Sequence, residues 1–173
     1  MNVLRVDTRT MATLRPRLSE ILIDSVAHGA SVGFLAPLSS ADADAFWSRV
    51  ERSVAQKRCI VLAAALDAVI VGTVQLDVDT MPNQPHRAEV HKLLVHSAAR
   101  GKGIGEALML AAEHAALGAG RWLLTLDTAT DAAARLYQRL GWKQAGAIPD
   151  YAMNPDGSLT ATTFYWKKLG REA

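Results

Sequence analysis

Residues 88–105 read A-E-V-H-K-L-L-V-H-S-A-A-R-G-K-G-I-G, and this stretch decides the fold. Its first part, Ala88 to Val95, is predicted to be a β-strand. The glycines that follow, Gly101, Gly103 and Gly105, permit backbone conformations that other residues avoid and leave backbone N–H groups open to a ligand. A helix then begins, and its N-terminal end carries a partial positive charge. The stretch therefore predicts a strand, an anion-binding turn and a helix.

Two other phosphate-binding motifs do not fit this turn. A P-loop requires Gly at position 96 and Ser or Thr at position 103, but the chain has His96 and Gly103. A dinucleotide-binding fingerprint requires Gly or Ala at position 106, where Glu106 stands, and it normally opens the first βα unit. The turn is therefore expected to bind an anion of another kind.

The flanking segments predict an element order. The helix that begins near Ile104 ends at Gly118 and Gly120, and the next strand makes a right-handed βαβ unit with the first. Hydrophobic periodicity predicts the remaining elements. They are a strand at Asn2–Val6, helices at Met11–His28 and Ser40–Gln56, a hairpin of Cys59–Leu66 with Val69–Val78, a strand at Trp122–Leu126, a helix at Ala132–Leu140, and a hairpin that turns at Asn154–Ser158 and ends in Thr162–Lys167.

The spacing within the turn is Arg or Gln, two residues, Gly, one residue, and Gly or Ala, and Arg100, Gly103 and Gly105 satisfy it. On this motif and the element order, the chain resembles the GNAT acetyltransferases over its whole length. The resemblance implies one α/β domain, residues 1–173, with about four helices on both faces of a mixed sheet. That sheet should have about six or seven strands and splay at the parallel pair Ala88–Val95 and Trp122–Leu126.

The resemblance also implies acetyl-CoA as co-substrate. In the family, the strand before the turn pairs its backbone with the pantetheine arm, and the N–H groups of the turn hold the pyrophosphate. Many relatives carry Asn at the position of Thr130, so a hydroxyl group replaces an amide here. The alternative is a tight βα connection without a ligand. The predicted cofactor-binding residues are Leu93, Leu94, Val95, Arg100, Gly101, Lys102, Gly103, Ile104, Gly105 and Thr130.

Two carboxylates are candidates for the catalytic base. Acetyl transfer needs a base because a protonated amine has no lone pair. Strict strand alternation places Glu89 on one face with His91, Leu93 and Val95. Asp127 follows the next strand of the βαβ unit, so both carboxylates are predicted to face one cleft where the parallel strands part.

Each carboxylate also has a structural alternative. Glu89 could form a salt bridge with Arg87, Lys92 or a neighbouring strand. Asp127 could cap the helix that follows it. The sequence leaves open which of the two is the base.

The departing thiolate needs a proton, so a third residue is expected to act as the general acid. The segment A-R-L-Y-Q-R-L-G-W contains Tyr137, and the resemblance implies that this tyrosine is the general acid beside the cofactor sulfur. The alternative is an aromatic core residue on an amphipathic helix.

Several short segments resemble more specifically the tabtoxin-resistance type of GNAT enzyme. They are G-A-S-V-G-F at 29–34, R-A-E-V at 87–90, L-D-T at 126–128, P-D-G at 155–157 and Y-W-K-K-L-G at 165–170. The resemblance implies acetylation of a primary amine on a small toxic or metabolic molecule, such as an antibiotic-like amino acid. Its predicted substrate-binding residues are Phe34, Glu89, Asp127 and Tyr151. Protein or peptide N-acetylation and a catalytically silent acyl-CoA sensor are the alternatives.

The composition and charge distribution of the chain bear on whether it binds nucleic acid, a metal ion or a membrane. Nineteen basic and seventeen acidic residues give a net charge of +2 without a run of like charges, so no nucleic-acid partner is expected. The histidines and the single Cys59 lack metal-ligand spacing, so no metal is predicted. The chain shows no signal peptide and no apolar segment long enough for a membrane span, and a cytoplasmic monomer or homodimer is expected.

Overall fold

A seven-stranded mixed sheet forms the centre of the computed structural model, which describes residues 1–170. Its strand order is β1-β2-β3-β4-β5-β7-β6. The strands are β1 (Asn2–Val6), β2 (Cys59–Leu66), β3 (Val69–Asp77), β4 (Arg87–Val95), β5 (Leu123–Thr128), β6 (Lys143–Met153) and β7 (Leu159–Lys168). The helices are α1 (Thr8–Ala27), α2 (Ser40–Ala55), α3 (Ile104–Gly118) and α4 (Asp131–Arg139). This arrangement confirms the predicted GNAT fold class.

β4 and β5 form the parallel pair of the sheet, and they separate soon after they meet. Only Arg87, Ala88 and Glu89 of β4 pair with β5, opposite Leu123, Leu124 and Thr125. Both strands continue beyond this point without pairing to each other. The predicted splay is therefore present, and it leaves one edge of β4 open from Val90 onward.

Apolar side chains fill both faces of the sheet, because helices cover each of them. α1 and α2 pack on one face, the α1–α2 face, and α3 and α4 pack on the other, the α3–α4 face. The largest fully buried side chains of the α1–α2 face are Met11, Leu18, Ile21, Leu22, Trp47 and Leu94. Those of the α3–α4 face are Leu76, Ile104, Leu108, Met109 and Leu124.

The element bounds follow the predictions to within two residues except at helix α1 and in the last hairpin, where β7 begins at Leu159 and not at Thr162. α1 begins at Thr8, three residues earlier than predicted, because Asp7 and Thr10 form a capping box with bonds of 2.7 and 2.8 Å. β6 is almost wholly exposed, so it lacks the alternation that would have delimited it. Among residues 1–170, no helix is both long and apolar enough to cross a membrane.

A β-bulge in β4 breaks the predicted alternation. Thr73 and Gln75, two positions apart in β3, pair with Leu94 and His91, which are three positions apart in β4. The extra residue is accommodated at Lys92, whose φ is 52°. Glu89 and His91 consequently lie on the α1–α2 face, whereas Leu93 and Val95 pack against the α3–α4 core. The prediction that these four residues share one face is therefore wrong.

Candidate active site

The turn between β4 and α3 has the geometry of an anion site. Gly101 and Gly103 adopt left-handed conformations with φ of 76° and 74°, and a Cβ on either would meet no atom within 4 Å. Gly103 is the N-cap of α3, and no side chain caps the helix there. The first N–H groups of α3 are thus available to an anionic ligand.

A cavity of about 520 Å³ opens at this turn. Among the predicted cofactor residues, Lys102 does not line it. Those that line it are Leu93, Leu94, Val95, Arg100, Gly101, Gly103, Ile104, Gly105 and Thr130. We call this space the cofactor cavity.

Some residues of the cofactor cavity were missed from the sequence. Ser25 and His28 reach it from the end of α1, far away along the chain, and no local motif marks them. Arg139 reaches it from α4, three residues after the lining Leu136. Because residues three positions apart lie on the same face of a helix, the position of Leu136 could have predicted that of Arg139.

A second cavity of about 300 Å³ lies at the gap between β4 and β5, and we call it the acceptor cavity. Side chains line it from both faces of the sheet, with Tyr137 from the α4 side and Lys92 and Asp127 from the other. It shares Ala30, Leu93, Thr130 and Ala133 with the cofactor cavity. The two cavities therefore meet where the parallel strands part.

Glu89 and Asp127 lie on the same face of neighbouring strands, and the surrounding protein raises the pKa of both carboxyl groups. For Glu89 the largest cause is burial, followed by the negative charges of Asp127 and Asp77. For Asp127 it is burial, partly offset by the cation of Lys92. Both groups are poised to accept a proton more readily than an ordinary carboxylate.

The structural alternatives for these carboxylates are absent from the described residues. Thr130 caps α4, accepting a hydrogen bond of 3.4 Å from the Ala133 N–H, so Asp127 is not the capping residue. Within residues 1–170, no cation lies within 4.0 Å of a Glu89 oxygen. Glu89 therefore forms no salt bridge with the described residues, and Asp127 does not cap α4.

Tyr137 lies in an aromatic cluster and lines the acceptor cavity. Its ring centroid is 6.1 Å from that of Trp142 and 5.9 Å from that of Tyr165. Burial, with smaller effects from Asp127 and Tyr165, raises the pKa of the hydroxyl. The hydroxyl is consequently protonated at neutral pH and can donate a hydrogen bond or a proton into the cavity.

The sequence model of the acetyltransferase (GNAT) family matches residues 24–142, which include the turn, both carboxylates and Tyr137. The chain belongs to this family. It is accordingly an acyl-CoA-dependent N-acetyltransferase by family membership.

Solved structures share the fold of this GNAT enzyme at low sequence identity. The yncA protein of Salmonella typhimurium, solved with its cofactor acetyl-CoA, has a TM-score of 0.78 at 20% identity, covering 100% of this chain and 96% of its own. A phosphinothricin acetyltransferase from Sinorhizobium meliloti, in complex with AcCoA, has a TM-score of 0.76 at 19% identity, covering 98% and 90%. A ribosomal-protein-alanine N-acetyltransferase from Brucella melitensis has a TM-score of 0.77 at 20% identity, covering 98% and 100%. Their acceptors differ in kind, so the fold alone does not identify the acceptor.

Of the four predicted substrate residues of this GNAT chain, Asp127 and Tyr151 line the acceptor cavity, whereas Glu89 and Phe34 do not. Tyr151 lines the acceptor cavity and packs edge-on against Phe164, with ring centroids 5.2 Å apart. Phe34 lies outside the lining, where its ring packs on Phe46 at 5.4 Å. Lys92, which the sequence suggested only as a salt-bridge partner, does line the cavity.

Among residues 1–170, no cluster of three or more His, Cys, Asp or Glu side chains is placed to hold a metal ion.

Proposed function

We propose that this GNAT enzyme transfers an acetyl group from acetyl-CoA to a primary amine of a small molecule. The observation that supports the proposal is the meeting of the two cavities at the gap between β4 and β5. The cofactor cavity ends there, and the acceptor cavity begins there with Asp127 and Tyr137 on its walls. An acyl donor in one cavity would thus face an amine in the other.

The residues of the cofactor cavity fit the parts of acetyl-CoA. The uncapped N-terminus of α3 and the left-handed glycines suit a pyrophosphate, because they present N–H groups without obstructing side chains. Beyond Glu89, β4 has no partner on its β5 side, so the backbone of Leu93–Val95 is free to pair with an extended amide arm. Acetyl-CoA would supply an acetyl group activated as a thioester.

Side chains in the acceptor cavity and beside it can accept and donate the protons of this transfer. Asp127 or Glu89 would accept the proton that an ammonium group must lose before it can act as a nucleophile. Their raised pKa makes them better bases than ordinary carboxylates. Tyr137 would donate from the opposite side of the gap, where the thiolate leaves.

Two segments cover the acceptor cavity, which favours a small molecule over a peptide. The Ser31 hydroxyl donates to the Met153 carbonyl oxygen at 3.2 Å, and the Ala36 N–H donates to the Pro155 carbonyl oxygen at 2.8 Å. These bonds join the α1–α2 loop to the β6–β7 hairpin above the sheet. A peptide substrate would need an open groove at this place.

An acetylation assay tests the proposal. Purified enzyme is incubated with acetyl-CoA and a panel of small primary amines, and released CoA and acetylated product are both measured. We expect product with at least one small amine and no more than background with peptides that have free N-termini. Binding of acetyl-CoA without turnover of any amine would favour the silent sensor, and preferential turnover of peptides would refute the small-molecule acceptor.

A further inference from the structure

Lys92 places an ammonium group on the wall of the acceptor cavity. The bulge in β4 directs this side chain towards the α1–α2 loop, where Nζ lies 3.6 Å from the position that a Cβ would take on Gly33. The side chain is mostly buried between the loop and α2. No other lysine or arginine among residues 1–170 lines this cavity.

The ammonium group has no hydrogen-bond acceptor in the described part of the chain. Its contacts are two ring faces, with Nζ 6.0 Å from the centroid of Phe34 and 5.8 Å from that of Phe46. Both distances are near the outer limit of a cation–π interaction. An ammonium group has three N–H donors, and those of Lys92 are open to solvent or to a ligand in the cavity, because Nζ is not one of the buried polar atoms that lack a partner among residues 1–170. The cation is therefore ready to bind an anionic group that enters the cavity.

The charges that face Lys92 come from its own strand, β4, and from the next strand of the sheet, β5. Asp127 lies on β5 and Glu89 on β4, and both raise the pKa of the lysine, while burial lowers it further than they raise it. His91 is adjacent on β4, and burial lowers its pKa, so it adds no competing positive charge at neutral pH. The acceptor cavity is consequently lined by one cation, Lys92, and by the carboxylate of Asp127, while Glu89 lies nearby but outside the lining.

We infer that Lys92 forms an anion subsite within the acceptor cavity. The subsite selects amines that also carry an oxyanion, such as a carboxylate or a phosphonate, over amines whose remaining groups are neutral or cationic. The amine of such an acceptor lies at Asp127, and the oxyanion lies at Nζ of Lys92. An acceptor whose remaining groups are cationic would instead place a like charge beside Lys92. This inference rests on the proposed acetyl transfer to a small amine.

The test uses sets of three matched acceptors with the same amine. Each set contains an amino acid, its phosphonate analogue and the amine that lacks the anionic group. Wild-type enzyme, Lys92→Met, Lys92→Arg and the control Lys57→Met are compared, because Lys57 is an exposed lysine after α2. Values of kcat and KM are determined separately from CoA release.

We expect wild-type enzyme to favour an anionic acceptor over the plain amine by about 10- to 100-fold in kcat/KM, the range of one hydrogen-bonded charge contact. The kcat/KM values for the amino acid and for its phosphonate analogue show which of the two oxyanions fits the subsite better. Lys92→Met should lose the preference through a higher KM for the anionic acceptor, Lys92→Arg should keep most of it, and Lys57→Met should keep all of it.

Two results would overturn the subsite. One is equal wild-type turnover of an amino acid and its plain amine, which requires no variant and so does not depend on folding. The other is an equal loss for both acceptors in Lys92→Met without recovery in Lys92→Arg, with acetyl-CoA thermal shifts showing that both variants are folded. Absence of product with every amine would refute the proposed function instead, so the two failures are distinguishable.

Discussion

Asp24 accepts two hydrogen bonds from Ser97, one from the backbone N–H and one from Oγ, each 2.7 Å long. Asp24 belongs to the last turn of α1, and Ser97 begins the short 3-10 turn that leads from β4 to the glycine-rich turn. Neither residue is part of the predicted anion site. Together they fix the path of the chain into that site, since Ser25, next to Asp24, and Arg100, three residues after Ser97, both line the cofactor cavity.

Replacing Asp24 with Ala should weaken acetyl-CoA binding without removing any lining residue. The Ser97 donors would lose their charged acceptor, which costs about 2 kcal/mol of unfolding free energy. We expect a loss of about 10-fold in acetyl-CoA affinity by calorimetry. Glu20→Ala is the control, because Glu20 is largely exposed and pairs only with Arg17 at 2.7 Å. Equal acetyl-CoA affinity in both variants would show that the Asp24–Ser97 contact does not shape the site.

Stability should depend on pH through the same carboxylate. Burial alone would raise the pKa of Asp24, but the Ser97 hydrogen bonds and the nearby His96 and His28 lower it below the usual value. A lowered folded-state pKa adds stability above the ordinary value of about 3.9, and this stability is lost as pH falls through the folded value. Urea midpoints of wild-type enzyme should therefore fall more steeply in acid than those of Asp24→Asn. Parallel profiles would contradict this assignment.

Glu89→Gln and Asp127→Asn should separate catalysis from stability. Because both carboxyl groups have a raised pKa, each ionised form costs stability above its ordinary pKa, and this cost disappears on protonation. The neutral isosteres should thus be as stable as wild type at neutral pH, or more so. Removal of the true base should lower kcat/KM by about 10²- to 10⁴-fold.

The pH profile identifies which carboxylate is the base. In the wild type, kcat/KM should fall as pH drops through the raised pKa of the base. The variant that abolishes this acid limb has lost that group, whereas the other variant should retain the limb. Wild-type rates and an unchanged limb in both variants would exclude Glu89 and Asp127 alike.

Tyr137→Phe tests the proton donor with little structural change. The ring keeps its contacts with Trp142 and Tyr165, so the urea midpoint should move only slightly. We expect kcat to fall by about 10²-fold, the lower end for general acid catalysis, while the KM for acetyl-CoA changes little. Since the hydroxyl pKa is raised, wild-type activity should show no loss from Tyr137 ionisation below its ordinary pKa of about 10. Undiminished kcat in Tyr137→Phe would assign the residue to the core.

The sequence predicts those parts of the fold that depend on local patterns. Apolar periodicity and the glycines around Arg100 give the element order, and the NPDGS segment at 154–158 gives the hairpin turn. The bulge at Lys92 could not be predicted in this way, because the register between β3 and β4 sets it. That one inserted residue turns Leu93 and Val95 to the cofactor side of the sheet and brings Lys92 into the acceptor cavity.

Long-range contacts explain the remaining differences. Ser25 and His28 reach the cofactor cavity because α1 ends beside β4, a relationship between elements that are distant along the chain. The exposed strand β6 has no alternation of burial from which its bounds could be read. The predicted chemistry of Glu89, Asp127 and Tyr137 stays a proposal: strand pairing puts the two carboxylates on one face of β4 and β5, and Tyr137 lines the acceptor cavity from α4.

A buried ion pair behind Tyr137 provides the last prediction. Lys167 Nζ donates to both Glu113 oxygens at 2.8 and 2.7 Å and to the Leu140 carbonyl oxygen at 2.6 Å, and Trp142 Nε1 donates to Glu113 at 3.0 Å. These bonds join α3 and β7 to the segment after α4, on which Tyr137 packs through Trp142. Glu113→Ala should cost about 3–5 kcal/mol in urea unfolding, because it removes the only counter-charge within 4.0 Å of Lys167 among residues 1–170 and the acceptor of Trp142 Nε1. Replacing both partners, Glu113→Leu with Lys167→Met, should recover much of this loss, since two apolar side chains leave no unpaired charge. A single substitution that costs under about 1 kcal/mol would show that the pair behaves like an exposed salt bridge and does not hold α4 in place.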